Sequence, residues 1–438
     1  MTVIRDPVWN NIWIDETALR LIDTPAFQRL RRVRQLGLAY LVYPGAVHTR
    51  FDHALGVYHL TGRALGRLEV SGELGDLPER DITILRLAGL LHDIGHYPFS
   101  HTLEELETNL VPEDHEQAAG KFLTNPEVAA SLEGLGAGAI DEIHELILGR
   151  SANPLQGLVS GSLDLDKIEY LTRDAKFCGV PYGEIDVDRL LDSLRLLRDP
   201  NNGRMEVGVA AQGVSALESL LFAKYQMFRN VYWHHAVRAA SVLFQRLVRD
   251  ALTDGWASSE HIVGKGDEES LSVFEALATD SDLESARRAR ERYIPDLRNR
   301  RLPKRAAQWW GDALTSALTE LQREVAPWFH QRPDLRVALE DLLAAEEGLE
   351  PGSLFIDYPA KAGMLELDIL MLGHDGSVER LTAAGRAGLI DLPRLGRDLY
   401  HAARVLRVFT WPRIELKDPG RVLELVTAPE EKIAKLVA

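Results

Sequence analysis

The sequence predicts a mainly α protein, with a helical core followed by a smaller α+β region toward the C-terminal end. Three observations predict it. Through most of the first 260 residues, apolar side chains recur at helical spacing. From about residue 350 the pattern changes to short β-branched or alternating runs separated by turn formers. No internal repeat or low-complexity tract interrupts either part, which argues against a solenoid or a biased tail. The chain is read as a core over 1–260, a helical connecting region over 261–345, and a small α+β region over 346–438.

The elements follow in order. Residues 16–36 have the apolar positions of a helix, interrupted by Asp23-Thr24-Pro25, a stop followed by an N-cap with proline in the first turn. Helix resumes at Arg50, where Ala54, Val57, Thr61, Ala64 and Leu68 form an inner stripe. The next helix runs from about Asp81 to Ile94, closed by Gly95 with Pro98 shortly after. Segments 115–123, 139–149, 163–176, 185–197 and 213–254 also read as helical, the last broken once. The polar stretch 264–269 reads as a flexible connection. Ser353–Tyr358, Leu365–Leu372, Val378–Leu381 and Val405–Thr410 read as strands, with His374-Asp375-Gly376 as a turn.

Composition narrows the function classes. The formal net charge of −16 argues against DNA or RNA as main partner, because that affinity comes from neutralising phosphates. A polyanionic small substrate would need a local basic site, and Arg29, Arg31, Arg32, Arg34 and the run Arg287–Arg305 offer candidates. The single cysteine, Cys178, excludes an internal disulfide framework and fits a reducing cytoplasm. The opening MTVIRDPVWNN is not read as a signal peptide, and no run of about 18 apolar residues suggests a membrane span. A cytoplasmic location is expected.

Chemistry is concentrated in His53, the pair His92-Asp93, and Asp166. Each alone has an ordinary reading as a hydrogen-bonded core, surface or capping residue. Context changes that. His92-Asp93 follows the apolar run Leu85–Leu91, and Asp166 lies at the start of an amphipathic segment, so charged groups fall where burial is expected. Buried carboxylates and imidazoles are costly unless paired or metal-bound. Two histidines and two carboxylates suit Mn²⁺, Mg²⁺, Fe²⁺ or Zn²⁺ and leave positions open for water and phosphate oxygens. Asp166, Tyr170 and Asp174 fall at i, i+4 and i+8 on one helix face, with Lys167 turned about 100° away. Taken alone, Tyr170 reads as a core aromatic and Asp174 as a surface residue.

Three ordered segments carry a resemblance. They are IDTPAFQRLRRVRQLGLAYLVYPGAVHTRFDHALGV, which holds Asp23 through Val57; AGLLHDIGHYPFSH at Ala88–His101; and LDLDKIEYLTRD at Leu163–Asp174, followed by GVPYGEID at Gly179–Asp186. Together they resemble the SAM-and-HD-domain deoxynucleoside triphosphate triphosphohydrolases and their bacterial relatives over roughly residues 3–240, with no SAM domain read ahead of them. The resemblance implies an HD-domain helical core and a divalent metal held by His53, His92, Asp93 and Asp166. It places His96, His101, Glu104, His115 and Glu116 around the reacting phosphate, and Arg50, Lys167 and Tyr232 at the triphosphate. Gln35, Tyr170 and Asp174 would sit at the deoxyribose.

The implied reaction is hydrolysis of a deoxynucleoside triphosphate at the α-phosphorus, with His101 as acid and Glu104 or Glu116 orienting it. His48, His59 and His144 do not match and are read as structural. His235, beside Tyr232, stands near where some relatives carry a phosphate-binding lysine. The resemblance also implies a second, activating nucleotide site, with Asp23, Gln28 and Arg31 in matching positions. Thr2 and Arg5 depart there from the family's lysine and asparagine. The Arg287–Arg305 run resembles a segment of that pocket, and reads equally as a solvated helix face or a subunit contact. A homo-oligomer, dimer or tetramer, is expected, and no membrane partner. The alternative enzyme reading is an HD phosphohydrolase acting on nucleoside monophosphates or another phosphoester. The alternative outside enzymes is a nucleotide-sensing or nucleic-acid-binding module that kept the fold.

Overall fold

A computed structural model of the chain describes residues 1–75, 77–106, 110–111, 113–310, 325–359, 368–381 and 391–438. Helices dominate it, and three of them position the site: Arg50–Val70, Glu79–Leu91 and Leu165–Cys178. Arg50–Val70 starts at a capping box: Asp52 Oδ2 accepts the Thr49 N–H at 2.9 Å and the Thr49 hydroxyl at 2.8 Å. Such a cap contributes about 1 kcal/mol. Phe51, Ala54, Leu55, Tyr58, Leu65 and Leu68 bury one face of this helix against Glu79–Leu91, which presents Leu85, Leu87, Ala88 and Leu90.

The Glu79–Leu91 helix stops earlier than the periodicity suggests. His92 is its C-cap, so the His92-Asp93 pair leaves the helical ladder instead of continuing a face, and both side chains are buried. The chain then passes close beneath the helix His115–Leu123 at Gly95, where a Cβ would stand 2.1 Å from the His115 carbonyl oxygen. Leu165–Cys178 packs on Arg50–Val70 from the other side, its N-terminus capped by Asp164 Oδ1 on the Lys167 N–H at 2.9 Å.

The segment 213–254 breaks once, as its length suggests. Val214–Met227 ends in a π turn over Phe228–Tyr232, and His235–Thr253 continues as a second helix. Three expectations are corrected, and one hairpin lies where no element is predicted. Thr2–Asp6 and Asn10–Ile14 form an antiparallel hairpin at the N-terminus, with Val3 opposite Trp13. Segment 185–197 is helical only over Val187–Ser193; Leu194–Arg198 is a strand, because LRLLR finds a partner in Met205–Ala210 across a turn. Lys304–Trp310 is a further strand, within a stretch read as helical.

The third correction concerns 264–269. It is not a flexible connection, since Asp267 begins the helix Asp267–Thr279 and is 1% exposed. Its Oδ1 accepts the Phe99 N–H at 2.7 Å, and its Oδ2 accepts the Arg34 N–H at 3.1 Å and the Arg34 guanidinium at 3.2 Å. Phe99 and Ser100 both adopt left-handed backbone there (φ 56° and 54°). Each such non-glycine residue costs of order 1 kcal/mol or more and needs support of this kind.

The C-terminal strands lie at Leu354–Asp357, Ile369–Leu372, Val378–Leu381 and Val405–Thr410; the 365–367 end of one predicted strand falls outside the described residues. Their pairing crosses the boundary drawn at 346. Ile369–Leu372 runs parallel to Met205–Ala210, with Gly208 opposite Leu370, in a four-stranded sheet. Val405–Thr410 is the middle of a three-stranded sheet between Lys304–Trp310 and Leu354–Asp357. Ile369, Met371 and Leu381 therefore share one buried cluster with the N-terminal helices. No helix among the described residues is long and apolar enough to cross a membrane.

Candidate metal and hydrolytic site

Three elements bring the four predicted ligands together. His53 comes from the first turn of Arg50–Val70, His92-Asp93 from the end of Glu79–Leu91, and Asp166 from the first turn of Leu165–Cys178. His53 Nε2 lies 2.9 Å from Asp166 Oδ1, 3.2 Å from His92 Nε2 and 3.6 Å from Asp93 Oδ2. His92 Nε2 is 3.4 Å from Asp93 Oδ1 and 3.6 Å from Asp166 Oδ1. Asp166 is the most exposed of the four, with 30% of its side chain accessible against 10% for His92.

The opposite ring edges fix what these nitrogens offer. His53 Nδ1 meets Glu169 Oε2 at 2.6 Å, and His92 Nδ1 meets the Gly89 carbonyl at 2.9 Å. Both partners only accept, so both Nδ1 atoms carry hydrogen and both Nε2 atoms face inward as ligands. Burial opposes charge on His53, but its hydrogen bonds to Asp166 and Glu169 and the field of the carboxylates outweigh it and lift the ring to about 10. His92 is raised in the same way, against burial, by Asp93 and Asp166. Burial works against Asp93 and Asp166 too, yet Arg50 and the histidines hold both well below the usual carboxylate range. A site that attracts protons this strongly and converges two imidazoles with two carboxylates fits a divalent cation.

A second group adjoins the first. His96 Nε2 is 3.1 Å from Asp93 Oδ1, and the His96 ring stacks on His115 at 3.9 Å. Glu104 Oε2 takes His101 Nδ1 at 2.6 Å while its Oε1 takes His115 Nδ1 at 2.6 Å. Burial raises Glu104, but His115 and His101 outweigh it and keep the carboxyl well below its usual range. His115 rises to about 9 against burial because of Glu104. His101 sits at the rim with half its side chain exposed. Its carboxylate partner is Glu104; Glu116 is half-buried, is pushed up by burial, and has its carbonyl on His144 Nε2 at 3.1 Å.

The residues predicted to meet the substrate make the following contacts. Asp174 Oδ2 accepts the Tyr232 hydroxyl at 2.6 Å, and Tyr170 and Tyr232 lie edge to face at 6.4 Å. Gln35 is buried, and its Oε1 has no partner among the described residues. Arg50 Nη1 bonds Asp93 Oδ2 at 2.8 Å and Nε bonds Ser100 Oγ at 3.0 Å. Lys167 Nζ is held by Asp164 and by the Gly161 carbonyl at 2.7 Å.

Sequence reading missed two contributors. His48, taken as structural, places Nε2 2.8 Å from Asp174 Oδ1. Glu169, three residues beyond Asp166 and so on the same helix side, orients His53; that spacing was its available signal. Glu169 Oε1 also accepts Trp9 Nε1 at 2.8 Å and Arg173 Nε at 2.7 Å, and Arg173 Nη1 reaches Asp6 Oδ2 at 2.9 Å. His59 lies against Trp9. His234 and His235 pack on each other near Tyr43, and burial lowers His235 to about 4, with His234 and Arg305 adding to it.

The residues matched to an activator site form a local patch. Asp23 caps the helix Glu16–Ile22, Gln28 Nε2 donates to the Ile22 carbonyl at 2.8 Å, and Gln28 Oε1 accepts Arg31 Nε at 2.9 Å. The Arg31 guanidinium lies 3.5 Å from the Phe51 ring centroid. The basic run is used within the chain. Arg288 bonds the Pro351 carbonyl, Arg290 those of Ala278 and Ser281, Arg292 the Ser353 hydroxyl, and Arg300 the Leu41 carbonyl.

Comparison with known proteins finds the following similarities. Residues 50–150 match the HD domain, and residues 185–386 match the HD associated region. The chain is 36% identical over 249 residues to an uncharacterized protein of Methanocaldococcus jannaschii, covering 57% of this chain and 49% of that one. It is 31% identical over 268 residues to the deoxynucleoside triphosphate triphosphohydrolase SAMHD1 of Homo sapiens, covering 53% and 42%. The chain thus spans about half the length of the curated relatives it matches. A hypothetical protein from Aquifex aeolicus superposes with a TM-score of 0.67 at 27% identity, over 93% of this chain and 96% of that one. A phosphohydrolase from Bacteroides thetaiotaomicron superposes with 0.69 at 20% identity, over 94% and 99%, and shares the fold.

Proposed function

The chain is an HD-domain protein with the HD associated region, and from that premise we propose that it hydrolyses deoxynucleoside triphosphates to the deoxynucleoside and inorganic triphosphate. One observation carries the reading: His53, His92 and Asp166 converge with Asp93 beside them, next to a histidine–glutamate pair, while the helix that supplies Asp166 also supplies Asp174, which holds the Tyr232 hydroxyl. The similarity to the SAMHD1 triphosphohydrolases supports the substrate class.

His53, His92, Asp93 and Asp166 would hold the ion, as Mn²⁺, Mg²⁺, Fe²⁺ or Zn²⁺. When bound, it supplies Lewis-acid polarisation of a phosphate oxygen and lowers the pKa of water. The chain's own groups do the rest. Water attacks the α-phosphorus, and the bond to the 5′-oxygen breaks. His101 gives that oxygen a proton through Nε2, while Glu104 on Nδ1 fixes the ring and offsets its charge. His96, His115 and Glu116 close the phosphate side. Arg50 and Lys167 offset phosphate charge, with Tyr232 beside them. Tyr170, Asp174 and the unpartnered Gln35 Oε1 face the sugar, where Asp174 would read the 3′-hydroxyl.

We read the Asp23, Gln28 and Arg31 patch as a site for an activating nucleotide, and the active form as a dimer or tetramer. Light scattering with and without deoxynucleotides tests the assembly; a monomer in both conditions would sink it.

A second reading, hydrolysis of nucleoside monophosphates, is favoured by the inward commitment of two cations. Arg50 is bonded to Asp93 and Ser100, and Lys167 to Asp164 and Gly161, rather than directed at outer phosphates. Product analysis decides. Each dNTP and NTP, singly and mixed, is incubated with Mn²⁺ or Mg²⁺ and resolved by ion exchange. Deoxynucleoside plus triphosphate supports the proposal. Orthophosphate, a monophosphate product or no turnover favours the second reading.

A further inference from the structure

The N-terminal hairpin and the cation site share one carboxylate. Glu169 is fully buried, and its two oxygens serve different parts of the chain. Oε2 accepts from His53 Nδ1 at 2.6 Å, and Oε1 accepts from Trp9 Nε1 at 2.8 Å. Trp9 stands in the turn of the hairpin, 160 positions earlier in the chain. That turn is built around Asp6. Its Oδ1 accepts the Val8 and Trp9 N–H groups at 2.8 and 2.7 Å, which sets where the indole stands. Its Oδ2 lies 2.9 Å from Arg173 Nη1. Ile12 and Ile14, both fully buried, anchor the second strand in the core beside the helix Arg50–Val70.

Arg173, also fully buried, returns to Glu169 and places Nε and Nη2 each 2.7 Å from Oε1. These contacts close a loop, from Asp6 to Arg173 to Glu169 to Trp9 and back to Asp6, and His53 takes the one remaining oxygen. A guanidinium holds a carboxylate most strongly through two parallel bonds, one to each oxygen. Arg173 does not take that arrangement, because Oε2 is given to His53. Trp9 holds Oε1 against the rotation that would bring Oε2 round to the arginine.

We propose that Trp9 is a positioning residue for His53, and that docking of the N-terminal hairpin and binding of a divalent cation are one linked equilibrium. With the hairpin docked, Glu169 keeps Oε2 on His53 Nδ1, and His53 Nε2 faces Asp166 and His92. With the hairpin lifted, Asp6 leaves Arg173, Trp9 leaves Glu169, and the carboxylate turns to the arginine. The His53 ring then loses the acceptor that fixes its tautomer and its direction. Linkage is reciprocal, so an ion on His53 holds the hairpin down by the same factor that the hairpin adds to its affinity. This linkage rests on the proposed cation site and needs no particular substrate.

Two measurements test it, both made without turnover. In the wild type, hydrogen–deuterium exchange across the hairpin is followed by mass spectrometry, with chelator and with saturating Mn²⁺. Exchange should slow by about fivefold or more in Mn²⁺. Mn²⁺ affinity is then measured by calorimetry, well below the melting temperature. Trp9→Phe keeps an aromatic ring against His59 and removes the N–H, so its Kd should rise about fivefold or more. The same change in a Glu169→Gln background should have no further effect, because the path runs through that carboxylate. A tryptophan that served packing alone would lower the melting temperature and leave Kd unchanged. Exchange indifferent to Mn²⁺, an unchanged Kd, or equal losses in both backgrounds would overturn the linkage. If Trp9→Phe does not fold, the wild-type exchange decides alone. A wild type that binds no Mn²⁺ overturns the cation site and the linkage with it, whereas binding with an indifferent hairpin overturns the linkage alone.

Discussion

Glu169 Oε2 and His53 Nδ1 lie 2.6 Å apart, and both side chains are fully buried. The contact fixes the imidazole tautomer, so that Nε2 faces Asp166 and His92. Burial raises Glu169, but Arg173 and His53 outweigh it and lower its carboxyl, so it stays ionised as the ring's acceptor. Glu169→Gln should keep the fold and weaken metal binding about 10–100-fold, as is usual for a residue that orients a ligand. Metal content after dialysis checks this; full retention would remove the role.

Gly56 gives a prediction whose sign opposes helix propensity. Glycine to alanine inside a helix ordinarily gains about 1 kcal/mol. Here the added Cβ would stand 2.0 Å from Glu169 Oε1, which has no exposed direction to move into. Gly56→Ala should destabilise the protein by about 1–3 kcal/mol and lower its metal content. A raised melting temperature would contradict the packing.

His115 sets a pH dependence. Its folded pKa of about 9 lies above the ordinary 6.5, so its contribution is fully present below pH 6.5 and is lost as pH rises through about 9. The loss should amount to at most about 3 kcal/mol. Denaturant unfolding of metal-free protein across pH 6–10 should show a steeper decline for wild type than for His115→Gln. Parallel curves would argue that the ring is neutral throughout.

Metal should stabilise the folded chain, because the converged ligands exist only there. At a free concentration of 100 Kd the gain is about 2.7 kcal/mol. Thermal melting with Mn²⁺ against excess chelator measures it in the wild type. The difference should vanish in Asp166→Asn.

Asp174 is held from two sides, by His48 and by Tyr232. Removing one of these charge-assisted bonds in Tyr232→Phe should raise KM for a dNTP about tenfold with a smaller change in kcat. Preference for deoxyribose over ribose should fall with it. A kcat loss with unchanged KM would place Tyr232 in the chemistry instead.

What could be read from the amino-acid order follows from the range of each interaction. His92-Asp93 was legible because a charged pair ending the apolar run Leu85–Leu91 breaks a local rule. The helices of the first half were legible because a buried stripe repeats within a few turns. Leu194–Arg198 was not: its apolar spacing suits helix as well as strand, and its partner Met205–Ala210 decides. His48 was not either, since nothing near it announces Asp174, 126 positions away. Trp9 and Asp6 reach the Glu169–Arg173 pair across a similar distance. Asp267 looked like a solvated acid in a polar stretch, and only the folded chain shows the two amides it serves.

That carboxylate makes one amide a reporter. The Phe99 N–H, two residues before His101, is sealed by a side chain 168 positions away. Its exchange with deuterium should wait for the Asp267 helix start to lift, whatever happens to the hydrogen bonds of its own neighbours. The rim of the site and the region beyond residue 260 would then breathe as one unit, and a single amide timed by mass spectrometry would keep its clock.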